Sequence, residues 1–214
     1  MANHTGSNAT LHVYPGMGAT AAMYDASAWQ SLASASFHDW PEWRGEATLP
    51  DWAKRLIAEH NIAAGDIVCG SSLGGMIAAE IANQINVGGL VLLGSAQHPS
   101  EVNRLLSRIH PLIDLAPLAF VQMSAGKIPM ELSTMFAQSD AAFIRAMCRA
   151  IFQWQGLQAQ PRMLRIHGKK DRVIPPPDQV DAWLPCGHLV AMDEPEACSH
   201  AIVEFLTNKS HSTD

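Results

Sequence analysis

Six short apolar runs punctuate the chain, at residues 11–14, 35–38, 67–69, 90–93, 163–166 and 182–184. Each is too short for a helix, and most end at glycine, proline or a polar cluster. This pattern predicts strands of a buried sheet. Helical periodicity fills several of the gaps. Residues 50–61 open on Pro50-Asp51 and set Trp52, Leu56 and Ile57 on one face, and residues 73–85 place Ile77, Ile81 and Ile85 four apart. Residues 194–207 follow Asp193-x-x-Glu196, a pair like a capping box, and stack Ala197, Ala201 and Phe205. Strands alternating with helices imply parallel pairing through right-handed crossovers. The expected fold class is α/β: a mostly parallel open sheet of about six strands flanked by helices.

One stretch departs from this rhythm. From about residue 97 to 160 no strand pattern occurs, and four helical pieces (101–110, 112–125, 130–137 and 140–155) are interrupted by Pro111, Pro117 and Pro129. A helical insertion here predicts a cap over the site, and plain sheet-covering helices are the alternative. Met123, Met130, Met135 and Met147 would then line an adaptable apolar substrate pocket, although methionines at helical spacing also serve as ordinary core. Polar residues 1–9 and 208–214 read as flexible ends, which leaves 10–207 as one domain.

Composition narrows the function classes. The chain has 214 residues, 48% of them hydrophobic, which excludes a disordered polypeptide. A formal net charge of −6 argues against a nucleic-acid partner. Cys69, Cys148, Cys186 and Cys198 are spread singly with no C-x-x-C pair, so free thiols in a reducing, cytoplasmic setting are expected. The polar start carries no apolar secretory segment. No apolar run approaches the roughly 18–20 residues of a membrane span. No H-E-x-x-H or comparable ligand spacing occurs, so no metal is expected.

The sharpest chemical signal is Gly70-Ser71-Ser72-Leu73-Gly74. It is a G-x-S-x-G motif directly after a predicted strand and directly before a predicted helix, the context that the motif requires. A nucleophile on so sharp a turn holds a strained backbone, and the residues two before and two after it crowd together. Gly70 and Gly74 remove the offending side chains, and Gly75 lets the helix approach the sheet. Only Ser72 has glycine at both offsets, which selects it over Ser71. The helix start behind it aims backbone N–H groups at developing negative charge.

From about Leu11 to Leu206 the chain resembles the α/β-hydrolase superfamily, in which serine, an acid and histidine follow in that order. His167-Gly168-Lys169-Lys170-Asp171 resembles the family's HGxxD after its penultimate strand. Pro185-Cys186-Gly187-His188 resembles the glycine–histidine pair after its last strand. The resemblance implies Asp171 as acid and His188 as base. Tyr14-Pro15-Gly16-Met17-Gly18 resembles the family's oxyanion loop and, with the elbow, implies the Met17 and Leu73 N–H groups as the oxyanion hole. The family's first antiparallel strands have no counterpart in the ten residues before that loop. The expected enzyme is a carboxylesterase-like serine hydrolase, with a small ester or thioester substrate and no cofactor.

Other readings compete. Residues 94–97 offer no carboxylate after the fourth strand, which favours Asp171 as the acid. Asp171 alone would serve to cap a turn with Arg172, and His167 reads as structural. Gly16-Met17-Gly18-Ala19-Thr20-Ala21 is also a literal G-x-G-x-x-A, with Asp39 about 20 residues on, as in an NAD-binding Rossmann fingerprint. Pro15 interrupts that reading, and it leaves Ser72, Asp171 and His188 unexplained. An acyltransferase, a lyase or a non-catalytic ligand-binding protein would share the same fold.

Overall fold

The computed structural model describes residues 9–102, 134 and 139–208. Most of the expected cap lies outside them, including the rest of the first helical piece beyond residue 102, the pieces at 112–125 and 130–137, and Met123, Met130 and Met135. Within them, six parallel strands form one sheet: β1 (Leu11–Tyr14), β2 (Ala35–Phe37), β3 (Ile67–Ser71), β4 (Gly89–Leu93), β5 (Met163–Gly168) and β6 (Ala182–Leu184). Their spatial order is β2-β1-β3-β4-β5-β6. All six predicted strands are present, with β3 and β5 each running two residues further than the apolar pattern indicated. Those extra residues, Gly70-Ser71 and His167-Gly168, carry the polar and glycine positions that lead into the site.

The central strands are buried on both faces; β4 is apolar on both, whereas β5 turns Arg165 and His167, and β1 turns His12, to one face. On β4, Leu90 and Leu92 join one core cluster while Val91 and Leu93 join the other, the period-two alternation of a pleated strand. Burying one such leucine is worth roughly 1.5–3 kcal/mol. The first cluster sits under α2 (Leu49–Glu59), α3 (Leu73–Gln84) and α4 (Ala141–Gln153). The second sits under α1 (Ser27–Gln30), α5 (Val190–Asp193) and α6 (Pro195–Thr207). The edge strands β2 and β6 are 3 residues each, which limits the exposed ladder available for edge-to-edge pairing.

Local signals explain most helix starts. Thr48 caps α2, its hydroxyl accepting from Asp51 N–H at 3.3 Å and donating to the Asp51 carboxylate at 2.6 Å. Asp140 caps α4 by accepting from Ala142 N–H. For the last helix one expectation fails and another holds in part. Asp193 ends α5, and Glu194 opens α6 with no side-chain cap, so the Asp193–Glu196 capping box does not form. Ala197 is exposed, and the buried positions are Cys198, Ser199 and Ile202. Pro195 sets the helix start, and of the Ala197–Ala201–Phe205 row Ala201 and Phe205 pack against the second cluster beside Cys198 and Ile202.

Candidate active site

The site forms where β3, β5 and β6 end. Ser72 follows β3 directly and takes φ 50°, ψ −116°, a conformation that side chains rarely adopt. Neighbouring groups hold it there. Ser72 N–H donates to Leu93 O at 3.1 Å, and the Ser95 hydroxyl donates to Ser72 O at 2.6 Å. A Cβ on Gly70 would stand 2.2 Å from the Gly74 carbonyl carbon, one on Gly74 2.4 Å from Pro15 O, and one on Gly75 2.4 Å from Ser95 Oγ. All three glycines are therefore steric requirements of the turn. Ser71 is excluded as a free hydroxyl. The Tyr24 hydroxyl contacts both Tyr14 O and Ser71 Oγ at 2.8 Å, and its single proton goes to the carbonyl, so Ser71 donates to it.

Asp171 and His188 converge on Ser72. His188 Nε2 lies 2.9 Å from Ser72 Oγ, and His188 Nδ1 lies 2.8 Å from Asp171 Oδ2. The approach depends on close backbone contact between the loops after β5 and β6. Lys169 N–H donates to Leu184 O and Lys170 N–H to Cys186 O, and a Cβ on Gly168 would stand 2.0 Å from Gly187 O. Gly187 itself faces open space. Its place beside His188 is no steric need, whereas Gly168 is one.

The Asp171 carboxylate does two jobs at once. Oδ1 accepts from the N–H groups of Val173 and Ile174, capping the turn, while Oδ2 meets His188. Burial pushes this carboxyl up. Hydrogen bonds from His167 and His188, the His188 charge and the Ile174 N–H outweigh that and hold it well below the usual carboxylate range. His167 is fully buried, with Nε2 2.9 Å from Ile174 O and 3.2 Å from Asp171 Oδ2. Its ring is thus tied to nearby backbone and lies against the Asp171 carboxylate.

The first loop closes the site. A Cβ on Gly16 would stand 3.7 Å from Ser72 Cβ, so the Gly16–Met17 peptide lies beside the serine. Among the described residues, neither the Met17 nor the Leu73 N–H meets an acceptor. Sequence reasoning missed Trp40, whose indole N–H donates to Gly16 O at 3.0 Å. Nothing in the local pattern around Trp40 marks it, because the contact joins residues 24 positions apart.

The dinucleotide reading fails on this geometry. The glycines lead into a four-residue 3₁₀ turn, Ala21–Tyr24, rather than a long helix whose N-terminus would face a pyrophosphate. The Asp39 carboxylate is occupied by Ala21 N–H at 2.6 Å. Among the described residues, no group of His, Cys, Asp and Glu could hold a metal ion, and no helix is long and apolar enough to cross a membrane.

Comparison with known proteins agrees with this architecture. The sequence profile described as "Alpha/beta hydrolase family" matches residues 11–201. Among solved structures, the chain is similar to a thermophilic esterase from Thermogutta terrifontis (18% identity, TM-score 0.67, covering 94% of this chain and 90% of that one). It is similar to carboxylesterase CesB from Bacillus subtilis (15% identity, TM-score 0.66, 96% and 86% covered). It is also similar to the type II thioesterase BorB from the borrelidin biosynthetic cluster (17% identity, TM-score 0.66, 94% of each chain covered). No curated protein matches the sequence. With the six parallel strands, the glycine-flanked turn and a profile spanning residues 11–201, the chain belongs to the alpha/beta hydrolase family.

Proposed function

We propose that the protein is a serine hydrolase that cleaves a carboxylic ester or thioester of a small, mainly apolar substrate through an acyl-enzyme. One observation carries this reading. An unbroken hydrogen-bonded chain runs from the buried Asp171 carboxylate through both ring nitrogens of His188 to the Ser72 hydroxyl. It ends on a strained turn beside two N–H groups that have no acceptor among the described residues.

A neutral serine is a weak nucleophile. As Ser72 Oγ attacks the substrate carbonyl carbon, His188 Nε2 takes its proton. Asp171 fixes the ring tautomer through Nδ1–H and offsets the positive charge of the imidazolium. The Met17 and Leu73 N–H groups bind the carbonyl oxygen as it becomes an alkoxide, each such donor typically contributing about 3–4 kcal/mol. The tetrahedral intermediate collapses, His188 protonates the departing alcohol or thiol, and Ser72 keeps the acyl group. Water then gives a proton to His188 and attacks the acyl carbon. His188 returns the proton to Ser72 as the carboxylic acid leaves. No step calls for a cofactor.

An apolar substrate is supported by the neighbours of the first loop. The Met17 thioether contacts the Cys148 thiol at 3.8 Å, and the Trp40 ring packs beside Phe143. Likeness to both esterases and a thioesterase supports acyl chemistry with either leaving group. The four free thiols, three of them buried, suit a reducing, cytoplasmic setting.

The test is labelling with a fluorophosphonate, read by peptide mass, beside turnover of p-nitrophenyl esters, thioesters and lactones. Ser72 is the expected adduct, and Ser72→Ala abolishes it with about 10³–10⁶-fold loss of turnover. An adduct that persists in Ser72→Ala overturns the nucleophile. Absence of both labelling and turnover favours a ligand-binding protein.

A further inference from the structure

We infer that Trp40 is a positioning residue for the oxyanion hole, acting through the Gly16–Met17 peptide. The inference rests on the acyl-transfer reading above and adds a residue that the family motifs do not contain. The carbonyl end of this peptide takes two hydrogen bonds, from Trp40 Nε1–H at 3.0 Å and from Ala19 N–H at 3.2 Å. In a planar trans peptide the carbonyl and the N–H point in opposite directions. Holding Gly16 O toward Trp40 therefore turns the Met17 N–H away from it. That N–H has no acceptor among the described residues, and its peptide lies beside Ser72. The two bonds to the carbonyl also polarise the N–H, making it a better donor.

Trp40 is anchored well enough to act in this way. Its ring packs edge-on to Trp52 at 5.9 Å, tilted against Phe143 at 5.7 Å and stacked with Tyr14 at 6.3 Å between centroids. The residues just before it tie the same strand and loop at further points. His38 N–H donates to Val13 O, and Asp39 accepts from Ala21 N–H. Three consecutive residues after β2 thus clamp the segment from Val13 to Ala21. Gly18, at φ 70°, lets the loop turn inside this clamp.

The test removes the N–H and keeps the ring. Trp40→Phe is the simple variant, and replacement of Trp40 by benzothienylalanine exchanges the N–H for sulfur at nearly unchanged shape. For p-nitrophenyl butyrate the expected result in both is a fall in kcat of about tenfold with little change in KM, less than the 10²–10³ lost when an oxyanion donor is removed outright. Inhibition by phenylboronic acid, whose tetrahedral adduct uses the same hole, weakens by a similar factor. The melting temperature of the benzothienylalanine protein stays at the wild-type value. A wild-type kcat in that protein overturns the inference, as does a rise in KM alone. Ser72→Ala run in parallel separates the two claims. If it is inactive while the Trp40 variants match wild type, only the role of Trp40 falls. If turnover survives Ser72→Ala, or if the wild type shows neither turnover nor fluorophosphonate labelling, both fall.

Discussion

Two histidine clusters in this fold each contain an imidazole nitrogen 2.9 Å from a hydroxyl: His188 on Ser72, and His60 on Tyr14. The difference lies in what stands behind the ring and in front of the oxygen. Behind His188 is Asp171, ionised and held by backbone N–H groups. Beside His60 is another imidazole, since His38 stacks on it at 3.9 Å and bonds through Nε2 to His12 Nδ1 at 3.0 Å. Ser72 is half-buried at the strand ends, whereas Tyr14 is 0% exposed and no substrate reaches it. Burial pushes the Tyr14 hydroxyl up and the three imidazoles down, His38 to about 3. A short histidine–hydroxyl contact is thus not sufficient for nucleophilic chemistry. It needs an ionised partner at the other nitrogen and an approach for substrate.

The largest effects expected from this contrast are on turnover. On the proposed acyl-transfer reading, Asp171→Asn should lower kcat about 10³–10⁴-fold, in line with loss of the correct tautomer in serine–histidine–aspartate triads, while Tyr14→Phe should leave kcat unchanged and cost about 0.5–1.5 kcal/mol of stability. Steady-state kinetics and urea unfolding of the two proteins check this, and equal loss of kcat in both would erase the distinction. Next in size is the way His188 is held. Gly168→Ala drives a Cβ into the Gly187 carbonyl, so destabilisation of at least about 1–3 kcal/mol is expected. Gly187→Ala, facing open space, should leave thermal unfolding near wild type. A stable Gly168→Ala protein would mean that the two loops are not in contact.

The smallest effect is on pH dependence. His12, His38 and His60 titrate below their unfolded value of about 6.5, chiefly through desolvation. Around them stand Tyr14, Asp66 at 3.4 Å from His12 Nε2, and the Glu59 charge, which opposes the shift of His60. Below about pH 6.5 the unfolded chain binds more protons than the folded one, so stability is complete above that pH and is lost as the pH falls. Asp171, with a lowered carboxyl, loses its contribution only below about pH 4, outside this window. Melting curves from about pH 7.5 to 5 should therefore fall, and His38→Gln should flatten the slope. A wild-type melting temperature independent of pH over that range would contradict the neutral stack.

Much of this site is legible in the chain because its parts are local. The glycines at 70, 74 and 75 encode the turn, and Ser72, Asp171 and His188 follow within four residues of the ends of β3, β5 and β6. What pattern reading misplaced is equally informative. The Asp193–Glu196 pair has capping spacing, but Asp193 belongs to the preceding short helix, since α5 is packed on β5 and on the Ala21–Tyr24 turn before α6 begins. A Cβ on Gly187, the glycine beside His188, would meet nothing, while one on Gly168, the glycine of the motif before Asp171, would run into the Gly187 carbonyl where the two loops touch. Asp171 as a turn cap and Asp171 as partner to His188 read as rivals until its two oxygens are seen to divide the tasks.

By itself the sequence determined the strand count, the layered α/β class and the serine at the turn, because apolar periodicity and side-chain absence act over a few residues. Only the tertiary structure decided that His188 and not His60 has a carboxylate behind it, that Ser71 is spent on Tyr24, and that Trp40 grips the loop at Gly16. Those outcomes depend on angles and separations between segments 17 to 116 residues apart, which crossover packing sets and no local pattern encodes.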